Sequence, residues 1–159
     1  MKLEEIGKVI VFIIICQMAG IIGSFFTFDS VGGWYAELAK PELSPPNWVF
    51  GPVWITLYSL MGIAAYLVYK KGFNKKRIKT AVYVFGGQLV FNALWSIIFF
   101  GLQSVFVALL CIIVLLALIV WTTILFWKIS KPAAILMIPY IIWVSFATFL
   151  NYSIWMLNP

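Results

Sequence analysis

Apolar residues run almost unbroken through five stretches of the chain, residues 6–28, 48–69, 81–102, 105–127 and 133–157. An α-helix needs about 20 such residues to cross the hydrocarbon of a bilayer. Two-residue alternation is absent, and stretches of this length exceed any barrel strand. Helices also satisfy their backbone hydrogen bonds within each segment, as lipid requires. The pattern predicts an all-α integral membrane protein, a bundle of five transmembrane helices forming a single domain over residues 1–159. One connection stands apart. Residues 29–47 are too many for an incidental link, and their Lys40-Pro41 and Ser44-Pro45-Pro46 steps restrict the backbone enough to disfavour disorder. A structured lid is expected there. Ser44, Pro45 and Pro46 signal the start of the second helix, and Pro52 is expected to bend it and free a backbone carbonyl.

Composition agrees with the pattern: 64% of residues are hydrophobic and 10% charged, with a mean hydropathy of +1.06, against about 25% charged in soluble domains. The placement of charge adds an orientation. Every Lys and Arg except Lys40 falls on the side of the N-terminus and of the connections after the second and fourth stretches: Lys2, Lys8, the cluster between Lys70 and Lys79, Lys128 and Lys131. The positive-inside rule puts the N-terminus in the cytoplasm and the first loop and C-terminus outside. A net charge of +6 distributed this way is a topology signal, and nucleic acid is not an expected partner. Cys16 and Cys111 lie in apolar runs and suggest no disulfide. No small-x-small site follows the first stretch, which reads as a retained helix.

Polar and small residues inside the stretches carry the remaining information. Ala19, Gly20, Gly23 and Ser24 allow close approach of the first helix to a neighbour, or form a cavity wall. Gln88, Asn92, Trp95 and Phe99 share one face of the third helix. Amides there avoid lipid, so interhelical hydrogen bonds and ligand contact are the two readings. The fifth helix repeats the design with Tyr140, Trp143, Ala147, Leu150, Asn151 and Ile154, and Pro139 marks an expected kink. The fourth helix is plain, with Trp121 and Trp127 as interfacial anchors.

Equally informative is the chemistry left out. Histidine is absent, and the last carboxylate of the chain is Glu42. Ion-coupled transport normally uses intramembrane ionisable groups; metal sites need clustered His, Cys or carboxylates; acid–base catalysis and triads need residues not found here. No metal and no cofactor is expected. Aromatic rings, amides, hydroxyls and small residues suit a large, flat, apolar ligand held by stacking and a few hydrogen bonds.

The motifs then carry a resemblance. Trp34-Tyr35 with Lys40-Pro41, Pro45-Pro46 with Trp48-Val49, Gly51-Pro52-Val53-Trp54 through Leu57-Tyr58, Gln88-Leu89 with Asn92 and Trp95, Phe99-Phe100-Gly101, and Pro139-Tyr140 with Trp143, Phe146-Ala147 and Leu150-Asn151-Tyr152 together resemble the translocator protein family, also called tryptophan-rich sensory or peripheral-type benzodiazepine receptor proteins. The likeness spans nearly the whole chain and is to bacterial-type members of the cell membrane. It implies a five-helix bundle, often a homodimer, that binds porphyrins, sterols and isoquinoline carboxamide or benzodiazepine ligands between the helices beneath the first loop. The matching pocket residues are Gly23, Phe50, Trp54, Asn92, Trp95, Trp143, Ala147 and Leu150, with Trp54 and Asn92 as polar contacts to a ligand carbonyl and Trp143 as a stacking wall. The resemblance also admits light- and oxygen-dependent porphyrin breakdown through Trp54 and Trp143, and a passive porphyrin or lipid carrier. Three positions depart from the family. Met156 stands where the sterol motif of animal members carries a basic residue, and Val107 and Cys111 replace a tryptophan and an aspartate, so that pocket wall is expected to differ.

Overall fold

The computed structural model describes residues 3–159. Lys2, counted above with the inner charges, lies outside them. Helix α1 (Leu3–Val31), the short α2 (Trp34–Glu37), α3 (Asn47–Tyr69), α4 (Lys76–Ser96), α5 (Val105–Trp127) and α6 (Lys131–Leu157) follow in order, and α4 continues as a π-helical turn, Ile97–Gly101. Five of these helices are long and apolar enough to cross a membrane, and the span through α4 includes the π turn. All the cis peptide bonds that proline could have introduced are absent among the described residues.

The helices outrun the apolar stretches where polar residues can still propagate helical hydrogen bonds. Helix α1 is already helical at Leu3, the first described residue, and Lys8 Nζ donates to Glu4 Oε1 one turn away at 2.8 Å. Helix α4 begins at Lys76, within the basic connection. At the far end of α1, residues 29–31 are helical. The expected lid of residues 29–47 is therefore shorter: a turn at Gly32 and Gly33, helix α2, and an extended and turning stretch to Asn47. Helical assignment continues across Pro52 and Pro139. Pro52 supplies no N–H to the carbonyl of Trp48, while its own carbonyl accepts an additional bond from Thr56 Oγ1 at 2.8 Å.

Small residues set the spacing. A Cβ placed on Gly62 of α3 would lie 2.6 Å from the Cα of Ile13, so α1 and α3 touch backbone to backbone at that level. Beside this contact the core is fully buried around Met61, Ala64, Ala65 and Val68 of α3, Ile112, Leu115 and Ile119 of α5, and Met137, Tyr140 and Val144 of α6. The interior is tightly filled in the half of the bundle away from the lid. Toward the lid the helices enclose space.

Candidate functional site

The enclosed space is a cavity of about 630 Å³ bounded by α1, α3, the α4–π segment, α6 and the lid. Its lining has no Asp, Glu, Lys or Arg. Aromatic rings dominate: Tyr35 from the lid; Phe50, Trp54 and Tyr58 from α3; Trp95, Phe99 and Phe100 from α4 and its π turn. Small residues of α1, Gly20, Gly23, Ser24 and Thr27, make room opposite them.

Each side chain is placed by local structure. Trp54 and Tyr58 are four residues apart on α3 and stack, centroids 5.5 Å apart and 27° from parallel. Neighbouring residues of an α-helix diverge by about 100°, yet consecutive Phe99 and Phe100 both reach the lining. The π turn, closed by Leu102 N–H to Ile97 O at 2.9 Å, allows this. Their rings receive Tyr35, at 6.1 and 5.6 Å, edge-on. Trp34 packs on Phe99 from outside the lining at 5.7 Å. Gly23 is close enough to Ser96 that a Cβ would lie 2.9 Å from its Oγ, so this glycine serves helix packing and cavity wall together.

Behind the lining runs a buried polar chain. Tyr58 Oη donates to Asn92 Oδ1, Asn92 Nδ2 donates to Tyr140 Oη at 2.8 Å, and Tyr140 Oη donates to Gln88 Oε1 at 2.9 Å. These bonds join α3, α4 and α6. A second tie joins α4, α6 and α5: Trp95 Nε1 donates to Asn151 Oδ1 at 3.0 Å, and Asn151 Nδ2 to the Val105 carbonyl at 2.9 Å.

Of the residues named from sequence, Gly23, Phe50, Trp54, Trp95, Ala147 and Leu150 come together on the lining. Asn92 and Trp143 do not. Asn92 is buried one layer back, with its amide engaged on both sides by tyrosines. Trp143 packs edge-on against Phe50 at 5.8 Å, with its indole N–H buried and unpartnered by protein among the described residues. Trp54 faces Tyr58 and, at 6.2 Å, Tyr140. Helix α5 contributes no lining residue, so the substitutions at Val107 and Cys111 do not reshape the wall. The Cys111 thiol instead donates to the Phe91 carbonyl at 3.7 Å.

Sequence reasoning missed Tyr58, Tyr140's polar role and Gln17. Gln17, on the lining, donates through Nε2 to the Ile55 carbonyl at 2.9 Å and to Ser59 Oγ at 3.1 Å. The rule that flagged Gln88 and Asn92, an amide inside an apolar stretch, applies to it equally.

The lid is braced internally by Lys40 and tied to the end of α6 at the neighbouring Ala39. Lys40 Nζ donates to the carbonyls of Tyr35 at 2.6 Å and Leu38 at 3.0 Å, and lies 4.7 Å from the centre of the Tyr35 ring. Asn158, after α6, grips Ala39 twice: Ala39 N–H donates to Asn158 Oδ1 at 3.0 Å, and Asn158 Nδ2 donates to the Ala39 carbonyl at 2.9 Å.

A five-helix membrane bundle with an uncharged aromatic cavity under a pinned loop defines a class of integral, multi-pass membrane proteins built around an apolar interior site. The chain belongs to the TspO/MBR family, whose model matches residues 12–156. It is 42% identical over 145 residues to the tryptophan-rich protein TspO of Chlorobaculum tepidum, covering 91% of this chain and 92% of that one. Identity is 43% over 155 residues with the tryptophan-rich protein TspO of Archaeoglobus fulgidus, at 97% and 99% coverage. The human translocator protein is 41% identical over 136 residues, at 84% and 80% coverage.

Proposed function

We propose that this protein is a membrane receptor that binds porphyrins and other flat hydrophobic molecules, including isoquinoline carboxamide and benzodiazepine-type ligands, and serves a sensory role in tetrapyrrole or stress metabolism. The observation that carries the reading is the uncharged, aromatic-walled cavity of about 630 Å³, a size within the range of small-molecule sites. Two of its rings, Trp54 and Tyr58, already stack on each other and offer a face for a planar guest. The uncharged wall suits the apolar macrocycle of a porphyrin, whose two carboxylates would have to keep to water outside it. Family membership and the names of the relatives support a membrane receptor over a soluble carrier. The same reading places the protein in a cell membrane as a homodimer with its first loop outside.

Tryptophan fluorescence tests it. Protoporphyrin titrated into the detergent-solubilised or nanodisc-embedded protein is expected to quench emission saturably. Trp54→Phe removes a ring on the cavity wall and is expected to weaken binding by about tenfold, the scale of an aromatic contact plus a hydrogen bond. Trp143→Phe, one layer out, is expected to act less. Quenching that stays linear with porphyrin and is unchanged in the double variant counts against the cavity as the site.

A further inference from the structure

The walls of the cavity are not equally closed. Near the lid, α1 meets α4 and its π turn tightly: Gly23 packs on Ser96, and a Cβ on Gly101 would lie 2.8 Å from Cδ1 of Phe26. Between α3 and α6, Phe50 and Trp143 meet edge-on at 5.8 Å. Between α4 and α6, Trp95 is bonded to Asn151. Tyr35 roofs the space against Phe99 and Phe100, and the lid that carries it is tied to the end of α6.

The seam between α1 and α3 changes along its length. Away from the lid it is shut, by Gly62 against the Ile13 backbone, by Gln17 bonded to the Ile55 carbonyl and Ser59, and by Gly20 against the Tyr58 ring. One turn nearer the lid, a Cβ on Gly51 meets no atom within 4 Å. The lining residues show where the space emerges. Ile21 and Phe28 of α1 and Trp48, Gly51 and Ile55 of α3 are exposed, as are Gly32 and Asn47 at the upper edge. Every lining residue of α4, the π turn and α6 is buried or half-buried. Residues 21–28 and 48–55 belong to the lid-side ends of two apolar stretches long enough to span hydrocarbon, so the opening faces lipid.

We propose that the seam between α1 and α3 is a lateral portal: apolar guests enter the cavity sideways, from the acyl chains of the surrounding leaflet, while the lid stays shut. A neutral flat guest concentrates in the bilayer before it binds, and the exposed rings of Phe28 and Trp48 flank its way in. At the upper edge Gly32 and Asn47 adjoin the loop, so a polar substituent trails in water while the apolar part slides through. The inference rests on the receptor reading above.

Stopped-flow tryptophan quenching by protoporphyrin dimethyl ester, a neutral porphyrin, tests the route in the full-length protein in phosphatidylcholine nanodiscs. Gly51→Phe starts a ring in open space and plugs the seam. Association and dissociation are expected to slow together, each on the order of tenfold, because a gate sets both rates and not their ratio. Phe28→Ala trims the rim and is expected to speed both severalfold; it decides the matter if the plugged variant does not fold. Asn158→Ala, which frees the lid, is expected to change neither rate. Rates unmoved by Gly51→Phe and Phe28→Ala overturn the portal, and so does an on-rate raised by Asn158→Ala, since the guest then comes through the roof. Faster dissociation from Gly51→Phe also overturns it, because residue 51 then acts on the bound guest. In all three cases saturable quenching of the wild type leaves the receptor reading standing. A wild type that shows no saturable quenching with the ester or with protoporphyrin itself removes both.

Discussion

Tyr140 shows how much one hydroxyl can hold. It accepts from Asn92 and donates to Gln88, so it sits between the two amides of α4 and is itself fully buried. Tyr140→Phe keeps the ring and leaves both amides without that partner. Interhelical hydrogen bonds in membranes contribute about 0.6 kcal/mol each, up to about 1.7, and an orphaned buried group adds a penalty of about 1–3 kcal/mol. A fall of several degrees in the detergent melting temperature is expected. Gly62→Ala is a steric counterpart: its new methyl meets the Ile13 backbone, which cannot rotate away, and overpacking of this kind costs about 1–3 kcal/mol. Its melting temperature should also fall, with the amides untouched. Tyr35 carries a pH signature. Burial raises its phenol above the ordinary value, so the folded lid favours the neutral form. That contribution is full below the unfolded value near 10 and is lost as pH rises through the raised folded value. Ligand affinity should therefore be insensitive to this group at neutral pH and weaken only in strong alkali. The residue types of the site were legible because amides and tryptophans stand out in apolar sequence. Their layering was not, since Asn92 and Trp95 share a helical face while only Trp95 reaches the cavity. Which partner fills the space in front of an amide depends on a tyrosine thirty-four residues away.

At the scale of elements, the lid is the part that sequence described least completely. Its prolines announced order, but a four-residue helix is too short to show a period, and the grip of Asn158 on Ala39 spans 119 positions. The long helices were readable because twenty apolar residues leave few alternatives, whereas their ends depended on charges that neighbouring turns could accommodate. The π turn left no mark at all: residues 97–101 contain no proline to cause it. Asn158→Ala removes both bonds to Ala39. Each such bond contributes about 0.5–1.5 kcal/mol, so amide exchange over the lid should quicken on the order of tenfold or more, with the exchange of α5 unchanged. Equal acceleration in α5 points to global loosening instead.

For the whole molecule, orientation is the first quantity to measure. A single cysteine replacing Lys75 is expected to react with a membrane-impermeant maleimide only from the cytoplasmic side, and one replacing Glu42 only from the other. Both positions are exposed, while the native Cys16 and Cys111 are buried and give little background. Labelling in the reverse sense inverts the assignment drawn from the charges.

The pinning of Lys40 has a consequence for how guests arrive. That ammonium is the lid's one basic group, and it donates to the carbonyls of Tyr35, Ala36 and Leu38. Lys40 keeps its charge in these bonds, and with the exposed Asp29, Glu37 and Glu42 the stretch from residue 29 to residue 47 carries a net charge of −2. A dicarboxylate porphyrin is repelled on approach, whereas a neutral guest diffuses in unopposed. Raising ionic strength shortens the reach of that charge from about 30 Å at 0.01 M to about 8 Å at 0.15 M. Association of protoporphyrin should accelerate accordingly, while its dissociation and the neutral guest's on-rate stay flat. The barrier to capture would then lie outside the pocket, in the approach.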